Sequence, residues 1–349
     1  MLLIKVASLL ICAGSISVAA EDPVLLVGNT RGDNIVRLFE EDLIEFIGGL
    51  SNPDHIRIVD DYLYVAVGDT LNSSTIYRKN LKSGDVDEDF LKGGGLLRPY
   101  GFDFYKGRIY VSSFLTDKVI IYEMDSGNYI GVFAQGDGTE EGLCNGPNHI
   151  SIHDDKLYLT TQGSVAVDGE PEYLWPSQII VYDLLTGEGG IFAGPPDPLP
   201  DSLGFVSMLG IQIYCEKYNC LAYTTDFAGG LRAYALDGTL VYEVSTSYDP
   251  GSTVTGALSV VDGEIYIPGY VSEDGGGVVQ RFSAKDGSPL PASGQDGAIF
   301  VPPSDELIRP IGIFALETNT GGGKGKKRGK RGRKLAGTSY SEAGKVKGE

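Results

Sequence analysis

Apolar residues come in short runs of four to seven, rich in Val, Ile, Leu and Tyr and cut off by Gly, Asp, Asn or Pro. No window of eleven or more holds a helical period, so the chain reads as β-strands separated by tight turns. The runs also repeat. Pro53-Asp54-His55-Ile56-Arg57-Ile58 leads to Tyr62-Leu63-Tyr64-Val65-Ala66-Val67, just as Pro99-Tyr100-Gly101-Phe102-Asp103-Phe104 leads to Arg108-Ile109-Tyr110-Val111-Ser112-Ser113. A third copy runs from Pro147-Asn148-His149-Ile150-Ser151-Ile152 to Lys156-Leu157-Tyr158-Leu159-Thr160-Thr161, and two more open at Leu209 and Thr255.

The central tyrosines of the second strands, Tyr64, Tyr110, Tyr158, Tyr223 and Tyr266, are 46, 48, 65 and 43 residues apart. That period suits a four-stranded blade. The long interval reflects two loops in the third copy, Gly163 to Ser177 with the chain's one Trp, and the proline-rich Gly194 to Leu203. Loops of this length inside a compact repeat are commonly functional. A sixth opening strand, from Arg309 to Ala315, has no second strand after it; the missing strands stand at the other end, from Val24 to Ile47. The predicted fold is therefore all-β: a six-bladed β-propeller of four-stranded antiparallel blades, the ring closed by N- and C-terminal strands that share one blade.

The chain ends add a compartment. Residues 1–20 read as a secretory signal peptide, an apolar run from Val6 to Cys12 followed by small residues ending at Ala20, with too short a core to span a bilayer. The expected domains are this leader (1–20), the propeller (21–317) and a disordered Gly/Lys/Arg-rich tail (318–349). Export leaves three cysteines. Cys215 and Cys220 flank a four-residue turn and are candidates for a bridge; Cys144 reads as a buried small hydrophobe. Asn72-Ser73-Ser74 is a glycosylation sequon in a polar loop. The total charge is −19, to which Lys5 contributes +1 and the segment from Gly321 +8, so the intervening body carries −28. An acidic body argues against nucleic acid as a partner of the propeller, and a basic tail suits an anionic surface.

The Pro147-Asn148 and Pro53-Asp54 openings, with Leu26-Val27-Gly28-Asn29-Thr30-Arg31-Gly32-Asp33-Asn34-Ile35, resemble NHL-type repeats and those of the gluconolactonase and senescence-marker family over about residues 24 to 316. That resemblance implies a divalent cation, usually calcium, held in the channel by oxygen donors. Carried over, the ring position holds Asp54, Tyr100, Asn148, Leu209, Thr255 and Ile311; Asp54 and Asn148 are the good ligands, with Asn29 and Asp226 to complete a set. Turn chemistry is the plainer role for Asp54 and Asn148. His55 and His149 replace glycine at equivalent inner positions, where with Tyr100, Arg98 and Arg309 they would face a ligand at the channel mouth; as a zinc pair they fall short of the usual ligand number. Arg98 and Arg309 each precede an opening proline, where they would hold an anionic ligand at the channel mouth or serve as solvated loop charges. No Gly-x-Ser-x-Gly elbow, P-loop or dinucleotide fingerprint is present. The leading expectation is a secreted binding or interaction module for a protein, glycan or anionic matrix. The alternative is a calcium-dependent lactonase or esterase at the channel mouth.

Overall fold

The computed structural model describes residues 23–39, 42–140 and 142–316; the expected leader and basic tail lie outside the described residues. In chain order the strands are β1 (Val24–Asn29), β2 (Asn34–Phe39) and β3 (Asp42–Gly48), followed by β4 (Ile56–Val59), β5 (Tyr62–Val67), β6 (Thr75–Asn80) and β7 (Val86–Asp87), which form blade I. Blade II holds β8 (Pro99–Tyr105), β9 (Arg108–Ser113), β10 (Lys118–Glu123) and β11 (Tyr129–Gln135). Blade III is β12 (Pro147–His153), β13 (Lys156–Thr161), β16 (Gln178–Asp183) and β17 (Gly189–Ala193), with the hairpin β14 (Ser164–Val167) and β15 (Glu170–Tyr173) inserted between its middle strands. Blade IV contains β18 (Met208–Glu216), β19 (Asn219–Asp226), β20 (Gly230–Ala235) and β21 (Leu240–Ser245). Blade V comprises β22 (Val254–Thr255), β23 (Ser259–Val261), β24 (Glu264–Tyr270), β25 (Gly277–Ser283) and β26 (Ile299–Ser304). The last strand, β27 (Pro310–Leu316), joins β1, β2 and β3 as blade VI.

Closure therefore occurs where the repeat requires it. β27 lies antiparallel to β1, with Leu25 opposite Ala315 and Val27 opposite Ile313. The seam is fastened beyond the strands: Asn29 Nδ2 donates to the Glu306 carbonyl at 2.7 Å, Asn29 Oδ1 accepts the Ile308 N–H, and Thr30 Oγ1 donates to the Arg309 carbonyl. The ring turns the inner strand edges toward the channel and so leaves them short and protected.

The period-defining tyrosines explain themselves in the packing. Tyr64, Tyr110, Tyr158, Tyr223 and Tyr266 are all buried. Three of them meet a phenylalanine of the fourth strand edge-on: Tyr110 on Phe133, Tyr158 on Phe192 and Tyr266 on Phe300, with ring centroids 5.2 to 5.3 Å apart. Such a pair adds about 1 kcal/mol beyond the area it buries. Second strands are covered on both faces, whereas outer strands such as β11 and β21 are largely exposed.

Inner strands are stitched around the axis by polar side chains. Arg57 pairs with Asp103 at 3.1 Å, and Asp103 accepts the N–H of Ile152. Ser151 accepts the N–H of Ile213, Gln212 exchanges two hydrogen bonds with Val260, and Ser259 accepts the N–H of Ala315. Each bond satisfies a backbone or side-chain group that packing has removed from water. In blade V the expected single opening strand is broken at 256–258. There the Gly256 N–H turns to the Pro268 carbonyl and the Ala257 N–H to Ile311 of blade VI, an approach so close that a Cβ on Gly256 would meet the Ile311 carbonyl oxygen at 2.6 Å.

Candidate functional site

At the start of the inner strands the pairing slips. Register shifts separate Pro99 from Phe102, Pro147 from Ile150 and Met208 from Ile211, and a matching shift falls at the start of β27. A bulge of this kind bends the strand and re-aims the extra side chain, and the residues it frees include the ring positions Tyr100, Asn148, Leu209 and Ile311. Asp54, Tyr100, Leu209 and Ile311 line a cavity of about 640 Å³ at this end of the channel; the ring positions Asn148 and Thr255, and the expected mouth residues His55 and His149, are not in its wall. Asn52, Arg98, Arg309, Thr30, Gln162 and Phe227 share its wall, with Tyr173 and Trp175 from the 163–177 insertion on one side and Phe205, Val206 and Ser207, just before β18, on the other.

Both insertions are tied down from below. Asp117 accepts the Gly146 N–H through Oδ1 and the Ala166 N–H of the β14–β15 hairpin through Oδ2, each at 2.8 Å. Burial raises the pKa of Asp117, while the two N–H donors pull the other way. Trp175 donates its indole N–H to the Gly138 carbonyl. On the other side Asp226 accepts the N–H groups of Ser207 and Ala228 and the guanidinium of Arg232, which also donates to the Asp197 carbonyl and to Glu243. Arg232 is wholly buried, so its charge is met entirely inside the protein.

The electrostatics of the mouth oppose those of the body. Arg98 makes no ion pair among the described residues, and its guanidinium stands 5.9 Å from the Tyr100 ring centre. Arg309 lies 3.2 Å from the Tyr270 hydroxyl and 3.7 Å from Glu273, which also binds Arg31 at 2.8 Å. The Tyr100 phenol is pushed up to about 12 by burial, with Arg98 opposing and Asp54 assisting the rise. Its hydroxyl therefore keeps its proton at neutral pH as a donor with no partner among the described residues.

The histidines and the proposed oxygen ligands stand in different relations. His149 Nε2 lies 3.1 Å from Asp54 Oδ1, linking blades III and I. The His55 ring stacks on His149, centroids 4.9 Å apart, while its Nδ1 accepts the Phe102 N–H. Burial, then His149 and Arg57, holds the His55 pKa well below its usual value, so the ring is neutral. Among the described residues the one group of three His, Cys, Asp or Glu close enough to share a metal is His153 with Cys215 and Cys220, and those cysteines are bridged to each other. Calcium needs six to eight oxygens at 2.3–2.6 Å. Asn29 and Asp226 spend theirs on the seam and on Arg232, Asp54 faces His149, and two arginines flank the mouth. The residues present do not fit that cation. Asn148 is fully buried, and neither atom of its amide has a partner. Asn72 is exposed on the loop joining β5 to β6, and Cys144 is free and buried.

Fold and site together define a six-bladed β-propeller with one capped channel mouth. A chain of a crystal structure of a nidogen/laminin complex superposes with a TM-score of 0.54 at 14% identity, covering 83% of this chain and 97% of that one. A computationally designed protein, Ika8, follows at a TM-score of 0.42 and 12% identity over 80% of this chain and 76% of its own. No family model and no curated protein matches the sequence. The first likeness shows the propeller fold.

Proposed function

We propose that the protein is a secreted β-propeller acting as an extracellular binding or interaction module, with the capped channel mouth as its working face and the basic tail as a tether to an anionic surface. One observation carries this reading: the 163–177 insertion and the end of the 194–207 connection between blades III and IV converge on the same end of the channel and wall one cavity with ring residues. Exposed aromatic side chains there, Tyr173 at 65% and Phe205 at 46% of their surface, are the kind of uncovered apolar area that marks a contact site. The similar chain from a nidogen/laminin complex suits a fold used for protein partners, and the proline openings suit kinship with the NHL-type and gluconolactonase-like propellers.

The test compares two surface changes. Replacing 165–172 of the β14–β15 hairpin by a short Gly-Ser turn should abolish crosslinking to extracellular partners. Changing Asp154 and Asp155 in a turn at the opposite end should leave it intact. The reverse pattern would move the working face elsewhere. A salt titration on an anionic polysaccharide, comparing the full chain with one ending at Leu316, reads the tether; equal retention would remove the tail from the proposal. Export is read by loss of an N-linked glycan in Asn72→Gln.

A further inference from the structure

Resting on the mouth as working face, we infer that the cavity is a site for a small organic monoanion: a planar aromatic body bearing one carboxylate, held between Arg98 and Arg309. Four features lead there. The cavity's volume of about 640 Å³ is that of a small-molecule site. Its walls divide by chemistry, with Trp175, Phe205 and Phe227 offering apolar surface, and Arg98, Arg309 and the Tyr100 hydroxyl offering donors.

Its charge runs against the molecule. In a body of net −28 derived from the sequence, the guanidinium of Arg98 stands without a carboxylate among the described residues, while the one carboxylate in the wall, Asp54, is turned to His149. Arg309 shares Glu273 with Arg31, so that three-residue cluster keeps one net positive charge. A single negative charge on the ligand meets this balance, and a planar carboxylate suits the fork of a guanidinium.

The fourth feature is backbone conformation. Arg98 and Arg309 adopt φ of +55° and +47° directly before proline, a region that L-residues avoid and that proline further disfavours in the preceding residue. The equivalent residues of blades I and III are Asn52, φ +44°, and Gly146, φ +60°, so the conformation belongs to the blade opening. Asparagine and glycine accept it most readily, so arginine at the other two positions retains a side-chain cost that the opening does not require.

Trp175 is the chain's single tryptophan and lines the cavity, which makes its emission a local reporter. The experiment titrates 2-naphthoate and its neutral counterpart 2-naphthamide into the full mature chain, by calorimetry and by Trp175 fluorescence. The acid should bind at least about tenfold more tightly than the amide. Arg98→Gln and Arg309→Gln should each remove about tenfold from acid binding and leave the amide unchanged, the scale of one charged hydrogen bond. Arg98→Lys should recover part of the loss, and unchanged melting temperatures would show that the variants fold. Acid and amide binding equally, both perturbing Trp175, would overturn the anion site and leave the mouth as a binding face. Acid binding that is unaffected in the arginine variants would overturn the assignment of residues, and no binding of either compound would overturn the site itself. The hairpin replacement above judges the face independently.

Discussion

Arg98 and Arg309 show how one residue can report two demands. Both hold a left-handed backbone before proline, where glycine would carry no steric cost. Arg98→Gly is therefore expected to keep or raise stability, by about 1 kcal/mol, because it relieves an αL conformation worth that much; urea unfolding measures it. A loss of similar size would mean that Arg98 serves the fold. His55 makes a second residue-scale case. Its folded pKa is depressed, first by burial and then by His149 and Arg57, so below pH 6.5 the unfolded chain binds a proton that the folded chain refuses. The stabilising contribution is present above that pH and is lost as pH falls toward the folded value, at up to about 1.4 kcal/mol per pH unit. His55→Asn, which retains an acceptor for the Phe102 N–H, should flatten the fall in stability between pH 7 and 5. Identical slopes in both proteins would show that the ring protonates in place.

Among elements, the inserted hairpin and the 194–207 loop owe their shared location to strand parity. Inner strands begin at the cavity end, so in an antiparallel meander the connection from second to third strand, and that from one blade to the next, both return to it. Placement alone would leave the loops loose, and the buried Arg232–Asp226 pair fixes one of them by binding the Asp197 carbonyl and the Ser207 N–H. Arg232→Met should destabilise the protein by about 3 to 5 kcal/mol, since it leaves Asp226 buried without its partner. The double variant Arg232→Met/Asp226→Asn should recover part of that loss in chemical denaturation. A single variant within about 0.5 kcal/mol of wild type would show that the pair is solvated.

At the scale of the whole molecule, the ring depends on backbones meeting where glycines stand. A Cβ on Gly312 would fall 1.8 Å from the Asp54 carbonyl oxygen, across the junction of blades VI and I. Gly312 is held by its pairing with Gly28 in the β1–β27 closure, and Asp54 by its N–H bond to the Ala66 carbonyl. Gly312→Ala should therefore cost about 3 kcal/mol or more, read as a lowered melting temperature, with Gly107→Ala as a comparison, since a Cβ there meets nothing within 4 Å although its φ is +75°. Equal melting temperatures for the two would show that the seam yields. The same closure lets an acidic body gather two arginines at one mouth, because residues 98 and 309, distant in the chain, open blades placed either side of blade I.

The repeat, its period and the split blade were legible in the chain because strand runs, turn residues and the central tyrosines obey local rules: alternation, left-handed turns and burial of an aromatic. Of the six ring positions read from the aligned copies, Asp54, Tyr100, Leu209 and Ile311 stand in the cavity wall, while Asn148 and Thr255 are buried outside it. What lay beyond reach were relations between blades. Asn29 and Asp226 looked like free oxygen donors, but Asn29 binds the seam and Asp226 binds Arg232. His55 and His149 looked like a ligand pair, but their rings stack from either side of blade II, where the equivalent residue is Gly101. Tyr173, Trp175 and Phe205 carried only the signal of lying in or next to long loops. Local sequence sets which way a strand runs and which residues face inward; which side chain spends its hydrogen bonds on which neighbour is decided when six blades, drawn from distant parts of the chain, are pressed around one axis.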